Sequence, residues 1–213
     1  MIAMCNGLKN HDFSFRKLQN ADFHDLTFEN VDFSNADLTG ANLENCLCRN
    51  CNFSGTILRG ASLKGTDFQD SNLREADISG ANLFFAMLEH ADLTKIIHDN
   101  QTQFFDLYCP AEGPLIGYKK CFGFKIVQLL IPADARRTSA TNTCCRCDKA
   151  KVLTIKDMYT LENYNEAVSY VDSEFIYRVG KWVVAENFNP NRWADSTGGI
   201  HFWLTRKEAE GYM

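Results

Sequence analysis

Large apolar residues recur at every fifth position through the first half of the chain: Leu8, Phe13, Leu18, Phe23, Phe28, Phe33, Leu38, Leu43, then Phe53, Leu58, Leu63, Phe68, Leu73, Ile78, Leu83, Leu88 and Leu93, with Cys48 in the one remaining slot. Two positions before most of them stands a small residue, such as Ala21, Ala36, Cys46, Thr56, Ser71 or Ala81. Two positions after come residues that tolerate positive φ, among them Asn20, Asn30, Asn35, Gly40, Asn45, Gly55, Gly60 and Gly80. A period of five held over eighteen units fits neither the helical 3.6 nor the strand period of 2, and it is no heptad seam. It predicts a solenoid whose coils bend at each unit and bury a continuous column of side chains.

Grouping the units by four separates the inward columns. One reads Phe13, Phe33, Phe53, Leu73, Leu93 and another Leu18, Leu38, Leu58, Ile78; a third is Phe23, Leu43, Leu63, Leu83 and the last Leu8, Phe28, Cys48, Phe68, Leu88. Units such as Ala36-Asp37-Leu38-Thr39-Gly40 and Ala91-Asp92-Leu93 resemble the pentapeptide-repeat family from residue 6 to about 98. The resemblance implies a right-handed, four-sided β-helix with four pentads per coil, about four and a half coils in all. At about 4.8 Å between stacked strands the rod is on the order of 22 Å long.

Net charge, -5 overall, is unevenly placed. Residues 12–44 carry seven acids and two bases, residues 45–66 no acid and three bases (Arg49, Arg59, Lys64), and residues 67–92 six acids and one base. Some pentapeptide-repeat proteins act on DNA gyrase as acidic mimics of duplex DNA, so the resemblance raises that reading here. The basic middle coil and the short rod, equal to about six base pairs, favour a solvated acidic surface instead. One outward column keeps acids without bases: Asp12, Asp32 and Asp92, with Asn52 and Asn72 between. Phe84, Phe85 and Met87 occupy outward positions near the end of the array. A solenoid end needs covering, so they are expected under the C-terminal half; the alternative is an exposed patch for a partner or a second copy.

The period dissolves through Ile97-His98-Asp99-Asn100, and Cys109-Pro110 to Pro114 reads as a linker. Beyond it the pattern is β-rich. Leu115 to Cys121 and Phe124 to Ile131 are expected to pair across Phe122-Gly123; Lys151 to Ile155 and Ile200 to Leu204 are strands; Phe175 to Val179 and Trp182 to Glu186 form a hairpin turning at Gly180. Thr205-Arg206-Lys207-Glu208 is a capping box for a short final helix. The stretches 116–121, 130–137, 177–180 and 198–203 are similar to a domain of unknown function often attached to pentapeptide repeats in tailed-phage and bacterial proteins. That resemblance implies a phage-related origin and transfers no catalytic residue.

Candidate chemistry concentrates in residues 136–156, where Arg136, Arg137, Arg146, Lys149, Lys151 and Lys156 face the single acid Asp148 amid Thr138, Ser139, Thr141, Asn142 and Thr143. Guanidinium forks beside short hydroxyls suit a nucleotide or other small anion; a solvated loop is the plainer reading. Cys144 and Cys147 have C-x-x-C spacing, and with Cys109 and Cys121 they could hold zinc. No second such motif follows, so reduced thiols are the default and no cofactor is expected. His201, between Ile200 and Phe202, faces away from both; as a base it would need Asp195 or Glu186, and a structural role is preferred. Tyr118, Trp182, Trp193 and Trp203 either line an aromatic wall or belong to the core.

Nine cysteines and no signal-like start or apolar run of 18 residues lead to the expectation of a cytoplasmic protein without a membrane span. The sequence therefore predicts a mainly β protein with a right-handed quadrilateral β-helix at 1–98, a linker or cap at 99–114 and a small α+β domain at 115–213. The expected role is a non-enzymatic, phage-encoded binding protein that blocks a host factor. Its partner is a host protein or a small anion, with direct nucleic-acid binding disfavoured and a homodimer open.

Overall fold

The computed structural model describes residues 7–194 and 197–212, so Cys5 and Asp195 lie outside the described residues. The chain divides into two compact units, Met1–Asp106 and Leu107–Met213.

The first unit is the solenoid that the period of five predicts. Strands β1 (Gly7–Lys9) and β2 (Thr27–Glu29) pair in parallel, and single-residue parallel pairings continue upward at twenty-residue steps: Asp12 with Asp32, Asn52, Asn72 and Asp92 in turn, and likewise Lys17 with Asp37, Ile57, Asp77 and Ile97. Twenty residues per coil is four pentads per coil. Every central residue from Phe28 to Leu88 is buried, while Phe13, Leu18 and Leu93 near the ends are half-exposed. Within the column Phe13, Phe33 and Phe53 stack at 5.3 and 4.9 Å, and Phe28 and Phe68 meet them edge-on at 5.2 Å each.

Each unit closes the same way. Every fifth residue from Asn10 to Lys95 has positive φ, between 53° and 69°. Asn and Gly accept that conformation easily, but the turn imposes it equally on Phe15, Asp25, Asp70, Glu75, Phe85, His90 and Lys95, which sequence preference alone does not place there. At Gly40 a side chain would also collide with its lower neighbour, since a Cβ would stand 2.5 Å from Asn20 Oδ1. The small column has its own rule. Thr56, Thr66 and Cys46 donate to the carbonyls of Phe33, Leu43 and Phe23 at 2.7, 2.7 and 3.0 Å, and Ser71 Oγ bonds to Cys48 O. Hydroxyls and thiols replace alanine there because the coil below offers each a carbonyl.

The stack also runs past the expected boundary at 98. One residue is inserted after Ile97, Asn82 pairs with Gln103, and buried Thr102 fills a small-column place with its hydroxyl on Ile78 O at 3.2 Å. Residues 99–106 thus belong to the solenoid, and Phe104 covers Phe84 with ring centroids 4.8 Å apart.

The second unit is a set of antiparallel sheets. β3 (Leu115–Cys121) and β4 (Lys125–Ile131) form the expected hairpin, with Cys121 opposite Lys125. The further strands are β5 (Arg137–Ser139), β6 (Cys145–Cys147), β7 (Lys149–Asp157), β8 (Glu166–Val168), β9 (Ile176–Arg178), β10 (Trp182–Val184) and β11 (Ile200–Phe202). They pair as β10-β7-β4-β3, β11-β6-β5 and β8-β9. A mutual backbone pair between Tyr118 and Trp203, 2.8 Å each way, joins β3 to the chain leaving β11, and β6 passes into β7 through Asp148 alone. The core is Cys109, Cys121, Val127, Leu129, Ile131, Cys145, Cys147, Val152, Tyr177 and Phe202 with their neighbours. Gly117 must be glycine, since a Cβ would stand 2.5 Å from the Phe202 ring and 2.9 Å from Ile131.

The sequence-based hairpin over 175–186 does not form. β9 pairs with β8, and β10 crosses to the edge of β7 with Trp182 opposite Lys151. Both segments have strand-like composition, and the turn at Gly180 is real (φ +78°), but the partners lie elsewhere. Helix α1 (Arg206–Gly211) begins at Thr205 with the expected capping box, in which Thr205 Oγ1 accepts from Glu208 N and the Glu208 carboxylate accepts from Thr205 N at 3.0 Å. Among the described residues no helix is long and apolar enough to cross a membrane.

Candidate functional site

The acidic column of the solenoid is built by its own turns. Asp12, Asp32, Asn52, Asn72 and Asp92 stack one per coil, and each Oδ1 accepts the backbone N–H two residues on, at 2.8, 2.8, 3.2, 3.0 and 3.0 Å. The amides close the ladder: Asn52 Nδ2 donates to Asp32 Oδ1 at 3.0 Å and Asn72 Nδ2 to Asn52 Oδ1 at 3.1 Å. Hydrogen bonds from Ser14 hold the Asp12 carboxyl below the usual range, and those from Thr94 do the same for Asp92. Amides fill two of the five rungs in the same role as the three carboxyl groups, because position, not charge, makes the turn.

The basic middle coil is not a free patch. Arg49 reaches Asp67 at 2.5 Å, Arg59 reaches Asp77 at 2.7 Å and Lys64 reaches Glu44 at 3.0 Å. Asp67 is fully buried and Asp77 nearly so; sequence reading missed both, though an acid eighteen residues after each arginine was the available sign. Burial pushes the Asp77 carboxyl up, but the Ser79 hydrogen bonds and the Arg59 guanidinium together outweigh it and leave it lowered. Arg74 lies 3.8 Å from Asp92 and Lys95 3.0 Å from Glu75. The rod therefore presents acids, while most of its bases are tied to carboxylates of a neighbouring coil. Near its end Phe85 is 54% and Met87 40% exposed, and Phe84, half-buried, touches Phe85 and Phe104 at 4.4 and 4.8 Å.

Residues 136–156 are mostly strand, in β5, β6 and β7, with 140–144 between the first two, and several of their cations are engaged by the fold. Arg136 pairs with Asp148 at 2.8 Å and lies over the Phe188 ring; Lys149 pairs with Asp134 at 2.6 Å; Arg137 donates to the carbonyls of Pro110, Pro132 and Ala133 at 3.2, 3.0 and 3.3 Å. Lys151, on β7, stands opposite Trp182. Arg146 is 2% exposed, donates to Asn191 O at 3.0 Å, and sits in register between Thr138 and His201 on the face of β6 turned away from Cys145 and Cys147. Most of these guanidinium groups serve the fold by bonding carbonyls and carboxylates. His201 does lie opposite in facing to Ile200 and Phe202, as alternation predicts.

The cysteines separate by environment. Cys109 and Cys145 thiols hydrogen-bond in the core, which lowers Cys109 and raises Cys145, while burial pushes Cys121 up to about 12 and Cys147 well up. Cys144 is half-exposed, its thiol toward Cys145 O. Among the described residues no three His, Cys, Asp or Glu side chains converge as a metal site. The four tryptophan and tyrosine candidates do not make one wall. Trp203 is buried beside Tyr118, Trp182 is 54% exposed on β10 at the opposite edge of that sheet, and Trp193 lies under Arg192 at 4.2 Å.

Two family models match. Pentapeptide repeats cover residues 8–45, 46–83 and 63–97, and a family of unknown function, DUF5758, covers 105–209. No curated protein matches the chain. Among solved structures it is similar to the pentapeptide-repeat protein Rfr23 from the cyanobacterium Cyanothece 51142 (29% identity, 45% of this chain and 62% of that one, TM-score 0.36). It is also similar to a pentapeptide-repeat protein from Nostoc PCC 7120 (36% identity, 45% and 77%, TM-score 0.27). A third is the plasmid-mediated fluoroquinolone resistance protein QnrB1 (18% identity, 44% and 62%, TM-score 0.17). The chain thus spans 62% of the length of Rfr23.

Proposed function

We infer that this chain, a pentapeptide-repeat protein with a C-terminal DUF5758 domain, is a non-enzymatic binding protein whose solenoid holds an acidic face toward a protein partner. The observation that supports this reading is the ladder of Asp12, Asp32 and Asp92. Its carboxylates are fixed by hydrogen bonds to their own turns, so little side-chain entropy is left to lose on binding. In origin and setting the proposal is a phage-encoded protein of the bacterial cytoplasm that blocks a host factor. That part rests on the resemblance of residues 116–203 to domains found in such proteins.

Mimicry of DNA is the weaker alternative. Duplex DNA carries about one charge per 1.7 Å of axis, whereas this column holds three acids over five rungs spaced about 4.8 Å apart. Capture of a small anion by residues 136–156 is weaker too, because Arg136, Arg137 and Lys149 already hold partners.

The test exploits the native amides. Asp12→Asn, Asp32→Asn and Asp92→Asn together remove three charges and keep each turn acceptor, as Asn52 and Asn72 do now. Proteins retained from a bacterial lysate by wild type and triple variant are compared by mass spectrometry at two salt concentrations. Loss of a salt-sensitive partner with no more than a small fall in melting temperature is the expected result. Undiminished capture excludes this face, and loss of inhibition in a gyrase supercoiling assay redirects the reading to mimicry.

A further inference from the structure

The two edges of the sheet β10-β7-β4-β3 are finished differently. β3 is covered where Tyr118 exchanges two backbone hydrogen bonds with Trp203, 2.8 Å each. β10 has a strand neighbour on one side alone among the described residues. Lys181 O accepts from Val152 N at 2.9 Å, and Ala185 N donates to Asp148 O at 2.7 Å. Bonding alternates along an antiparallel pair, so residues 181, 183 and 185 turn their backbone groups to β7 while Trp182 and Val184 turn theirs to the open side. Their side chains are open as well, at 54 and 57% exposure, with Val183 buried between them. An edge of Trp-Val-Val, with no proline or charge inside it, is a template for another strand.

The strand that fits this edge is its own copy. Set antiparallel about Val183, Trp182 lies opposite Val184 of the partner subunit and Val184 opposite the partner's Trp182, so each outward donor meets an outward acceptor. Centring the pair on Trp182 would instead set Val184 against Gly180, whose N–H already donates to Val152 O at 2.8 Å. Centring it on Val184 would set Trp182 against Glu186, which lies beyond the strand. The favoured register also makes two aromatic-with-β-branched cross-strand pairs, a stabilising combination on a sheet face.

The charges beside the strand agree with self-pairing. Lys181 precedes β10 and Glu186 follows it, both exposed, so antiparallel order brings Lys181 beside Glu186 of the partner subunit at both ends, whereas parallel order would set lysine beside lysine. Of the other charges nearby, Lys149 is paired with Asp134, Asp148 with Arg136 and Arg178 with Glu166. Lys151, opposite Trp182 on β7, would stand three strand spacings, about 14 Å, from Lys149 of the partner subunit, beyond the screening length of about 10 Å at 0.1 M salt. We propose that the open edge of β10 is a self-pairing surface through which two chains join their four-stranded sheets into one continuous sheet.

Sedimentation velocity of the full chain, from low to high micromolar concentration, should show a monomer–dimer equilibrium. Val184→Pro deletes an outward N–H and leaves the bonds of residues 183 and 185 to β7 in place, as an edge strand allows. It should weaken the dimer about tenfold, with little fall in melting temperature at a concentration where the wild type is monomeric. Two surface variants test the pairing without touching the backbone. Lys181→Glu alone sets acid against acid and Glu186→Lys alone sets base against base, so each should weaken self-association about tenfold. Mixed in equal amounts, the two should form a heterodimer near wild-type strength, because both ends then join unlike charges. A chain that stays monomeric throughout the series overturns the proposal, as does a dimer indifferent to Val184→Pro or a mixture that pairs no better than either charge variant alone. The Asp12, Asp32 and Asp92 ladder is untouched by these variants, so this result and that of the rod face are read independently.

Discussion

The aromatic ladder inside the solenoid makes a graded stability prediction. Phe53 is fully buried, stacked on Phe33 at 4.9 Å and edge-on to Phe68 at 5.2 Å. Phe53→Leu installs the residue that the same column already holds one coil above, at Leu73, so shape is nearly kept. The loss is then chiefly two ring contacts, worth about 0.5–1.5 kcal/mol each, or roughly 1–3 kcal/mol in total. Phe53→Ala adds an unfilled cavity and should cost about 3–5 kcal/mol. For a unit of this size, each 1 kcal/mol lowers the melting temperature by about 4–8 °C. The same substitutions at Phe13, half-exposed with one stacked neighbour in its column at 5.3 Å, should cost less than half as much. Thermal melts of the full chain followed by far-UV circular dichroism at two scan rates give the ranking, supported by urea midpoints. If Phe13→Ala and Phe53→Ala were equally harmful, or Phe53→Ala cost under 1 kcal/mol, a continuous buried column would not be what holds the coils together.

Further outcomes follow from the turns and the small column. Gly60→Ala meets nothing within 4 Å and should cost only the left-handed backbone penalty, about 1 kcal/mol, whereas Gly40→Ala also displaces the Asn20 amide and should cost more; urea midpoints of the two separate the effects. Thr56→Val keeps the shape but loses the 2.7 Å bond to Phe33 O, and should destabilise by about 1 kcal/mol, less than an equal change that leaves the carbonyl bare, since Ala36 N still donates to it at 3.0 Å. The pH dependence has a definite sign. Asp12, Asp37, Asp77 and Asp92 all have carboxyls lowered from 3.8, so their stabilisation is complete above that value and is lost as pH falls through the lower folded values. The melting temperature should stay level with respect to these groups from pH 6 to about 5 and drop below about pH 4. Asp37→Asn with Asp77→Asn should flatten the drop, and an unaltered acid limb would refute the assignment.

Much of the solenoid could be read from residue order because each inward position is fixed by its neighbours within five residues and by an identical unit twenty residues away. Leu38, Phe53 and Ile78 are buried for the same local reason, and the final helix at Thr205 is equally local, a capping box contained in four residues. Where a small-column hydroxyl finds its carbonyl, or why Arg49 needs Asp67, depends on coil stacking and emerges once the period is known. The second unit offers no such repetition. Strand composition marks 176–178 and 182–184 correctly, but pairing is chosen by edges far apart in sequence, so β9 joins β8 and β10 joins β7. The cations of 136–156 look like one anion site in the linear chain. Alternation along β5 to β7 and the nearby carbonyls and carboxylates divide them, burying Arg146 and engaging Arg136, Arg137 and Lys149. Phe124 and Tyr159 read as ordinary turn residues, and only tertiary folding brings their exposed rings to 5.6 Å. Sequence alone determines what a local period or cap can enforce; long-range pairing decides the rest, because a strand's hydrogen bonds can be satisfied by any suitable edge and only packing of the whole unit selects one.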